Sequence, residues 1–501
     1  MKKYRLLMLT TLIISGCSLC YELIISAISS YLVGDTVLQY SITIGLYMSA
    51  MGLGSFLSKY MKQNLFDWFV MVEIGVGLVG GISAVLLFLA NLYIEQYQLV
   101  MYLVIIIIGT LVGVEIPLLT RIIEEDEENL RVTLSSIFSF DYIGGLIGSI
   151  AFPLLLLPQL GYFATAFLTG SLNLVAAMLI VFKYSERVRK AAVLKMAAVL
   201  LFLGMVTGIF ASDYLADQIE GGLYRDRIIL SEHTQYQHIV MTRHKDDIRL
   251  YIDGNIQFCS LDEYRYHEAL VHIPMANALK KDKVLVLGGG DGMAVRELLK
   301  YEGTEITLVD LDAEMLRICS ENNHIVELNE GALSSDRLTI VCQDAYRFLE
   351  ETNEKFDVII VDLPDPNNET LNKLYTNIFY RLCRAALTED GVMTVQSTSP
   401  YYAPKAFWCI NQTLESEGFY VRPYHIQVPS FGDWGFNMAS VKELEGDMDI
   451  LEDTKYLTSE NVGALFIFGK DETLQGQEIE RNTLSKPMLI HYYAEAVRNW
   501  E

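Results

Sequence analysis

Lys283-Val284-Leu285-Val286-Leu287-Gly288-Gly289-Gly290-Asp291-Gly292-Met293 is the stretch whose reading decides the fold. An apolar run enters a glycine loop, and the loop opens a helix-like stretch reaching Tyr301. Strand, tight turn and helix start together make a βα unit that cradles a nucleotide. About 20 residues on, Ile306-Thr307-Leu308-Val309 ends in Asp310, where such folds set an acid against ribose hydroxyls. Two more apolar runs end in acids: Leu338 to Cys342 precedes Asp344, and Asp357 to Val361 leads into Asp362-Leu363-Pro364-Asp365-Pro366. A glycine loop alone is weak evidence. A series of acidic strand ends is much less common.

Outward from this unit, strand-like runs at 283–287, 305–309, 338–342, 356–361, 391–396, 436–441 and 464–468 alternate with helical stretches. The helices are expected near 293–301, 312–323, 344–351, 373–387 and 404–417. That alternation predicts a parallel sheet covered on both faces, with ligands outside the carboxyl ends of its strands. Just upstream, Arg227 to Leu230, His238 to Thr242 and Ile248 to Tyr251 alternate as short strands separated by turn residues such as Asp253-Gly254. A helix follows from Leu261 to about Leu279.

The first 212 residues have a different character. The chain of 501 residues is 51% hydrophobic, has a mean hydropathy of +0.28 and is long enough for two or three domains. The excess is confined to apolar runs at 5–33, 37–58, 68–92, 99–119, 134–157, 160–182 and 192–212. Each is long enough to cross a hydrocarbon core of roughly 30 Å as a helix, so seven spans are expected. The first run is too long for a signal peptide and lacks a clean cleavage site. Lys59, Lys62, Arg121, Arg131, Lys183, Arg187, Arg189 and Lys190 fall on the amino-terminal side, which the positive-inside rule makes cytoplasmic. Seven spans would then put the carboxyl-terminal half outside, unless one run fails to cross or the first is a hairpin. Gly52-Leu53-Gly54-Ser55 and Gly144-Gly145-Leu146-Ile147-Gly148 suit close helix packing. Glu124-Glu125-Asp126-Glu127-Glu128 reads as a solvated connector.

The net charge of −24 argues against a nucleic-acid partner, whose phosphates call for Lys and Arg. Seven cysteines with no metal-like cluster do not form a disulfide framework and fit a reducing compartment.

Residues 222–440 resemble the polyamine aminopropyltransferases, the spermidine synthase family. The matching pieces are Tyr236-Gln237, Asp253-Gly254 with Gln257, Asp262-Glu263, Tyr266-His267-Glu268 and Gly288 to Gly292. They continue with Asp310-Leu311-Asp312, Asp344-Ala345, Asp362 to Pro366, Leu374-Tyr375, Phe379-Tyr380, Gln396, Ser430-Phe431-Gly432 and Trp434-Gly435-Phe436. With seven apolar runs in front, the whole chain looks like the membrane-anchored bacterial members.

The resemblance implies aminopropyl transfer from decarboxylated S-adenosylmethionine, a co-substrate, to an amine such as putrescine. The expected products are spermidine and 5′-methylthioadenosine. No metal or other cofactor is implied, because the sulfonium is already a good leaving group. Asp362 is expected as general base, Asp365 as anchor of the acceptor's cationic chain, and Asp291 as partner of the donor's terminal ammonium. Asp310 would hold the ribose, although the family commonly has Glu there. Asp344 and Ala345 fall where the family recognises adenine. Gln237 and His267 match positions facing the thioadenosine product and the amine, while Tyr266 and Gln257 complete the wall with Trp434, whose face suits an alkylammonium. Asn367-Asn368 stands where many members have Gly-Pro, which puts one donor contact in doubt.

The expected architecture is therefore an α-helical transmembrane bundle (1–212), a small antiparallel β region (213–273) and an α/β Rossmann-like, methyltransferase-type domain (274–501). A homodimer through the synthase domain and a multi-pass protein with a cytoplasmic catalytic domain complete the expectation. On this reading Glu22, Glu73, Glu115 and Asp141, set in apolar runs, form a passage or site for polyamine cations or else bond helix to helix. Two other functions compete. An S-adenosylmethionine-dependent methyltransferase shares the fold but has no use for Asp291 with the Asp362/Asp365 pair. A non-catalytic polyamine transporter or sensor has no need of a base at Asp362.

Overall fold

The computed structural model describes residues 5–33, 36–94, 96–124, 130–224, 226–443 and 448–500. Lys2, Lys3 and the acidic run Glu125 to Glu128 lie outside the described residues. The chain divides into two compact units, Met1–Arg225 and Asp226–Glu501.

The first unit is helical: Arg5–Val33, Thr36–Leu57, Leu65–Tyr93, Tyr97–Glu124, Leu130–Ala151, Leu157–Lys183, Ala191–Phe210 and a short Ser212–Leu223. Among the described residues, six helical stretches are long and apolar enough to cross a membrane. One of them, Leu134–Lys183, has 50 residues and is broken at Gly161, whose φ of 68° and ψ of −177° are not helical. Both expected runs, 134–157 and 160–182, lie in this stretch, with the break at the start of the second. The first apolar run is a single helix of 29 residues rather than a hairpin.

Glycines set the packing of this unit. Gly144 lies against the Leu12 carbonyl and Gly148 against that of Gly16, so Arg5–Val33 and Leu130–Ala151 run parallel. Gly109 against Tyr47 and Gly113 against Met51 make the second and fourth helices parallel as well. Glu73 meets Asn173 while Gly81 meets Gly170, so Leu65–Tyr93 and Leu157–Lys183 are antiparallel. The chain thus folds back at Gly161 and alternates direction from helix to helix. A Cβ at Gly54, Gly113, Gly144 or Gly148 would strike backbone, which explains the small residues there. Met48, Leu99, Leu146, Leu154, Met196 and Leu200 are all at least half exposed on the outside of the bundle.

The second unit begins with a four-stranded antiparallel sheet in the order β1-β2-β3-β4. Its strands are β1 (Arg227–His233), β2 (His238–His244), β3 (Asp247–Ile252) and β4 (Asn255–Cys259). β4 was not expected from sequence. Asp253 and Gly254, with φ of 49° and 82°, form the tight turn that folds it onto β3.

After helix Glu263–Asn277 comes a seven-stranded sheet of β5 (Lys283–Gly288), β6 (Glu305–Asp310), β7 (Leu338–Cys342), β8 (Phe356–Asp362), β9 (Leu387–Gln396), β10 (Tyr420–Val428) and β11 (Gly432–Ser440). Their order is β10-β11-β9-β8-β5-β6-β7, with β10 and β11 antiparallel additions to a parallel core. In β5 and β8, Val284, Val286, Val358 and Ile360 join one hydrophobic layer, while Leu285, Leu287, Ile359 and Val361 join the other. Both faces are therefore dry, as an apolar run in a parallel sheet requires. The expected strand at 464–468 is instead a 3-10 turn, Val462–Phe466, and β10 takes its place in the sheet. β5 stands between β6 and β8, so the crossovers leave in opposite directions there and open a crevice at the carboxyl ends.

Candidate active site

The glycine loop closes this crevice. Gly288, Gly289 and Gly292 have φ of 80°, 69° and 81°, a region that favours glycine. A Cβ at Gly288 would also collide with the Asp362 carbonyl oxygen. The Gly290 amide donates to Asp310 Oδ2 at 3.1 Å, and the Asp312 amide to Oδ1 at 2.9 Å. Asp310 thereby fastens the end of β6 to the loop; burial raises its pKa against these two bonds.

Asp312 Oδ2 accepts from Gln237 Nε2 at 2.9 Å and Thr234 Oγ1 at 2.7 Å, which draws the β1–β2 turn over the carboxyl end of β6. A cleft of about 680 Å³ opens there, its lining including His233, Tyr236, Asp312, Glu314, Gln343 and Asp344. Asp344 Oδ1 caps helix Ala345–Glu351 through the Tyr346 and Arg347 amides, and Oδ2 pairs with Lys373. Partial burial opposes its ionisation, but Lys373 and the cap hold its carboxyl below the usual range. Ala345 is the buried first residue of that helix.

At the end of β8, Asp362 Oδ1 accepts a 2.6 Å bond from the Tyr266 hydroxyl, while Oδ2 faces the glycine loop at Gly289. Burial, and then the negative charge of Asp291, push its carboxyl up to about 6; His267 and Tyr266 oppose the shift. Asp291 is itself buried, with Oδ1 accepting from the Met293 amide at 2.9 Å. His267, one residue from Tyr266, donates through Nδ1 to Glu263 Oε2 at 2.8 Å. Burial alone would lower its pKa, but the Glu263 bond and the charges of Asp291, Glu263 and Asp362 outweigh that and carry it to about 9. Glu263 is gripped from the other side by Arg296, which donates to both carboxylate oxygens at 2.9 and 3.0 Å. Although burial opposes it, these partners hold Glu263 down at about 2.

Asp365 is engaged on both oxygens: Gln396 Nε2 reaches Oδ1 at 3.3 Å and the Tyr493 hydroxyl donates to Oδ2 at 3.0 Å. Burial raises its pKa, opposed by Gln396, Tyr493 and Thr398. An aromatic wall of Tyr266, Phe431, Trp434 and Phe436 stands alongside, with ring centroids 5.2–6.4 Å from that of Tyr266. The Trp434 Nε1 is buried with no hydrogen-bond partner among the described residues. Gln257, on β4, donates to the Asn255 carbonyl of its own strand. Asn368 caps the short helix Glu369–Asn372 through the Leu371 amide.

The structure therefore brings Tyr266, His267, Asp291 and Asp362 into one electrostatic cluster at the glycine loop. Gln237 and Asp310 adjoin it through Asp312 and Gly290, and Asp344 with Ala345 sits on the next strand end. Sequence reasoning missed Arg296 and Tyr493. Arg296 lies in a helical run where it reads as a surface charge, and Tyr493 lies 128 residues beyond Asp365 in helix Met488–Trp500.

The sheet order, glycine loop and acidic strand ends define a Rossmann-like domain of the nucleotide-handling type. Residues 263–449 match the spermine/spermidine synthase domain family. A polyamine aminopropyltransferase of Leptospira interrogans is 42% identical over 97% of both chains. One of Oceanobacillus iheyensis is 42% identical over 97% of this chain and 96% of its own. A solved spermidine synthase in complex with the transition state analogue AdoDATO shares 28% identity over 48% of this chain and 86% of its own, with a TM-score of 0.46. The chain belongs to the polyamine aminopropyltransferase family.

Proposed function

We infer that the chain transfers the aminopropyl group of decarboxylated S-adenosylmethionine to putrescine, giving spermidine and 5′-methylthioadenosine. The donor is a co-substrate. In this reading the amine nitrogen attacks the carbon next to the sulfonium, the carbon–sulfur bond breaks toward sulfur, and the amine proton passes to Asp362. The observation that carries the assignment is Asp362 itself, a partly buried carboxylate raised to about 6 beside the glycine loop. A base with a pKa near the working pH is ionised and still accepts a proton readily.

The other roles are those that the family resemblance implies. Asp291 takes the donor's terminal ammonium and disfavours a carboxylate there, while Asp310 holds the ribose from the end of β6. Asp344, which lines the 680 Å³ cleft, and Ala345 flank the adenine, and Gln237, held by Asp312, faces the thioadenosine. Asp365, with Tyr266, His267 and Gln257, receives the acceptor's distal ammonium against the Trp434 face. Mass detection of products from the full-length protein, given putrescine and either donor form, tests the reading. Methylated putrescine from S-adenosylmethionine would refute it.

The helical unit is proposed as a multi-pass membrane domain, supported by six sufficiently long apolar stretches and the exposed apolar side chains around them. The catalytic unit is assigned to the cytoplasm because its charged substrates are made there. This sets substrate chemistry against the basic loops, and reagent accessibility of the exposed Cys342 in intact cells decides between them. A homodimer through the synthase domain belongs to the same proposal and is tested by light scattering.

A further inference from the structure

Buried acids in the helical unit remain outside the catalytic account. Glu73, on Leu65–Tyr93, is 0% exposed; its Oε2 accepts from Asn173 Nδ2 at 3.0 Å, and its Oε1 is buried with no partner among the described residues. Glu115, on Tyr97–Glu124, is 7% exposed, and its Oε1 is likewise buried and unpartnered. The two carboxyl groups lie within electrostatic reach of one another and of Cys17 on Arg5–Val33. Among the described residues of this unit no lysine or arginine is buried, and the sequence holds no histidine before His233. Glu22 and Asp141, by contrast, are only partly buried.

An ionised carboxylate in an apolar bundle needs a counter-charge, and an intramembrane acid without one marks a site. We propose that Glu73 and Glu115 form a binding site for an alkylpolyamine cation inside the helical unit. Two acids on neighbouring helices match a ligand carrying separated ammonium groups, each with several donors. A small inorganic divalent ion would ask for six or more oxygens around one point. Tyr21 and Tyr47, both 0% exposed, add aromatic faces: the Tyr21 hydroxyl donates to Asn173 Oδ1 at 3.3 Å and its ring lies against Gly80. The inference rests on reading this unit as a membrane domain.

The test uses full-length protein in lipid nanodiscs, titrated with radiolabelled spermidine by equilibrium dialysis. Wild type is expected to show two classes of site. Asp365→Asn removes the catalytic class, and Glu73→Gln with Glu115→Gln weakens the other at least about tenfold while leaving kcat and KM for transfer unchanged. One class only, abolished by Asp365→Asn, overturns the proposal. One class only, surviving Asp365→Asn and lost with the glutamines, upholds it and sinks the acceptor-site reading instead.

Should the glutamine variant fail to fold, wild type is treated with a hydrophobic carbodiimide and the peptides bearing Glu73 and Glu115 are weighed. Spermidine is expected to slow their modification about tenfold or more. Equal rates with and without spermidine, or protection by sodium alone, overturn the site. A chain that stays in aqueous solution without detergent overturns the membrane reading beneath it.

Discussion

Tyr266 offers the sharpest test of the base. Its hydroxyl donates to Asp362 Oδ1 at 2.6 Å, and this bond lowers a carboxyl that burial and Asp291 hold at about 6. The base acts only when ionised, so kcat/KM for the diamine should rise with pH through about 6. Tyr266→Phe removes a bond to a charged group worth about 1.5–3 kcal/mol. At about 1.4 kcal/mol per unit, the acidic limb moves up by about 1–2 units. At neutral pH the variant should lose roughly twofold to tenfold in kcat/KM and recover near pH ~9. Asp362→Asn, with no base left, should lose on the order of 10²–10⁴ at every pH. Initial rates of spermidine formation from pH ~5 to ~9.5 at saturating donor read both effects over the full ionisation range. An unmoved acidic limb in Tyr266→Phe, or an Asp362→Asn enzyme within tenfold of wild type, would refute the reasoning.

The same carboxyl makes a stability prediction with a defined sign. Its folded pKa is raised, so its ionisation destabilises the fold as pH climbs from about 4 through 6, and Asp362→Asn should stabilise the catalytic unit at neutral pH by up to about 3 kcal/mol in denaturant melts. His267 is raised to about 9 by a partner, so its contribution is complete below about 6.5 and fades as pH rises through 9; Glu263→Gln, which takes that carboxylate from His267 and leaves buried Arg296 with Glu297 as its remaining carboxylate partner, should cost about 3–5 kcal/mol. Tyr493→Phe removes a donor from Asp365 and should raise KM for putrescine several-fold while leaving KM for the donor unchanged, whereas an equal change in both would mean that the helix has merely moved. Gly290→Ala would bring a Cβ within 2.6 Å of Asp310 Oδ2, so KM for the donor should rise with that for putrescine little altered. Asp291→Asn should narrow the preference for the decarboxylated donor, measured as a ratio of kcat/KM for the two donor forms.

How much of this was legible in the sequence depends on how local the signal is. The parallel strands were, because each is a buried apolar run ending at a turn, and the acids could be placed because a strand end is a local feature. β10 was hidden: Pro423 within the run argues against a strand, and the pairing is supplied by β11. Ala464-Leu465-Phe466-Ile467-Phe468 has strand-like composition, yet it pairs with no strand among the described residues and its first part coils into the 3-10 turn Val462–Phe466. What separates the acids from one another is less local still. Asp362 and Asp365 are both partly buried carboxyls three positions apart, alike in any pattern of residues. Asp365 has both oxygens engaged, one by Tyr493 from a distant helix, which suits a fixed anchor. Asp362 has one oxygen held by Tyr266 and the other turned toward the glycine loop, with a second negative charge close by at Asp291. The proposed division of labour between base and anchor therefore rests on partners about a hundred residues away in sequence, which only the folded chain brings into contact.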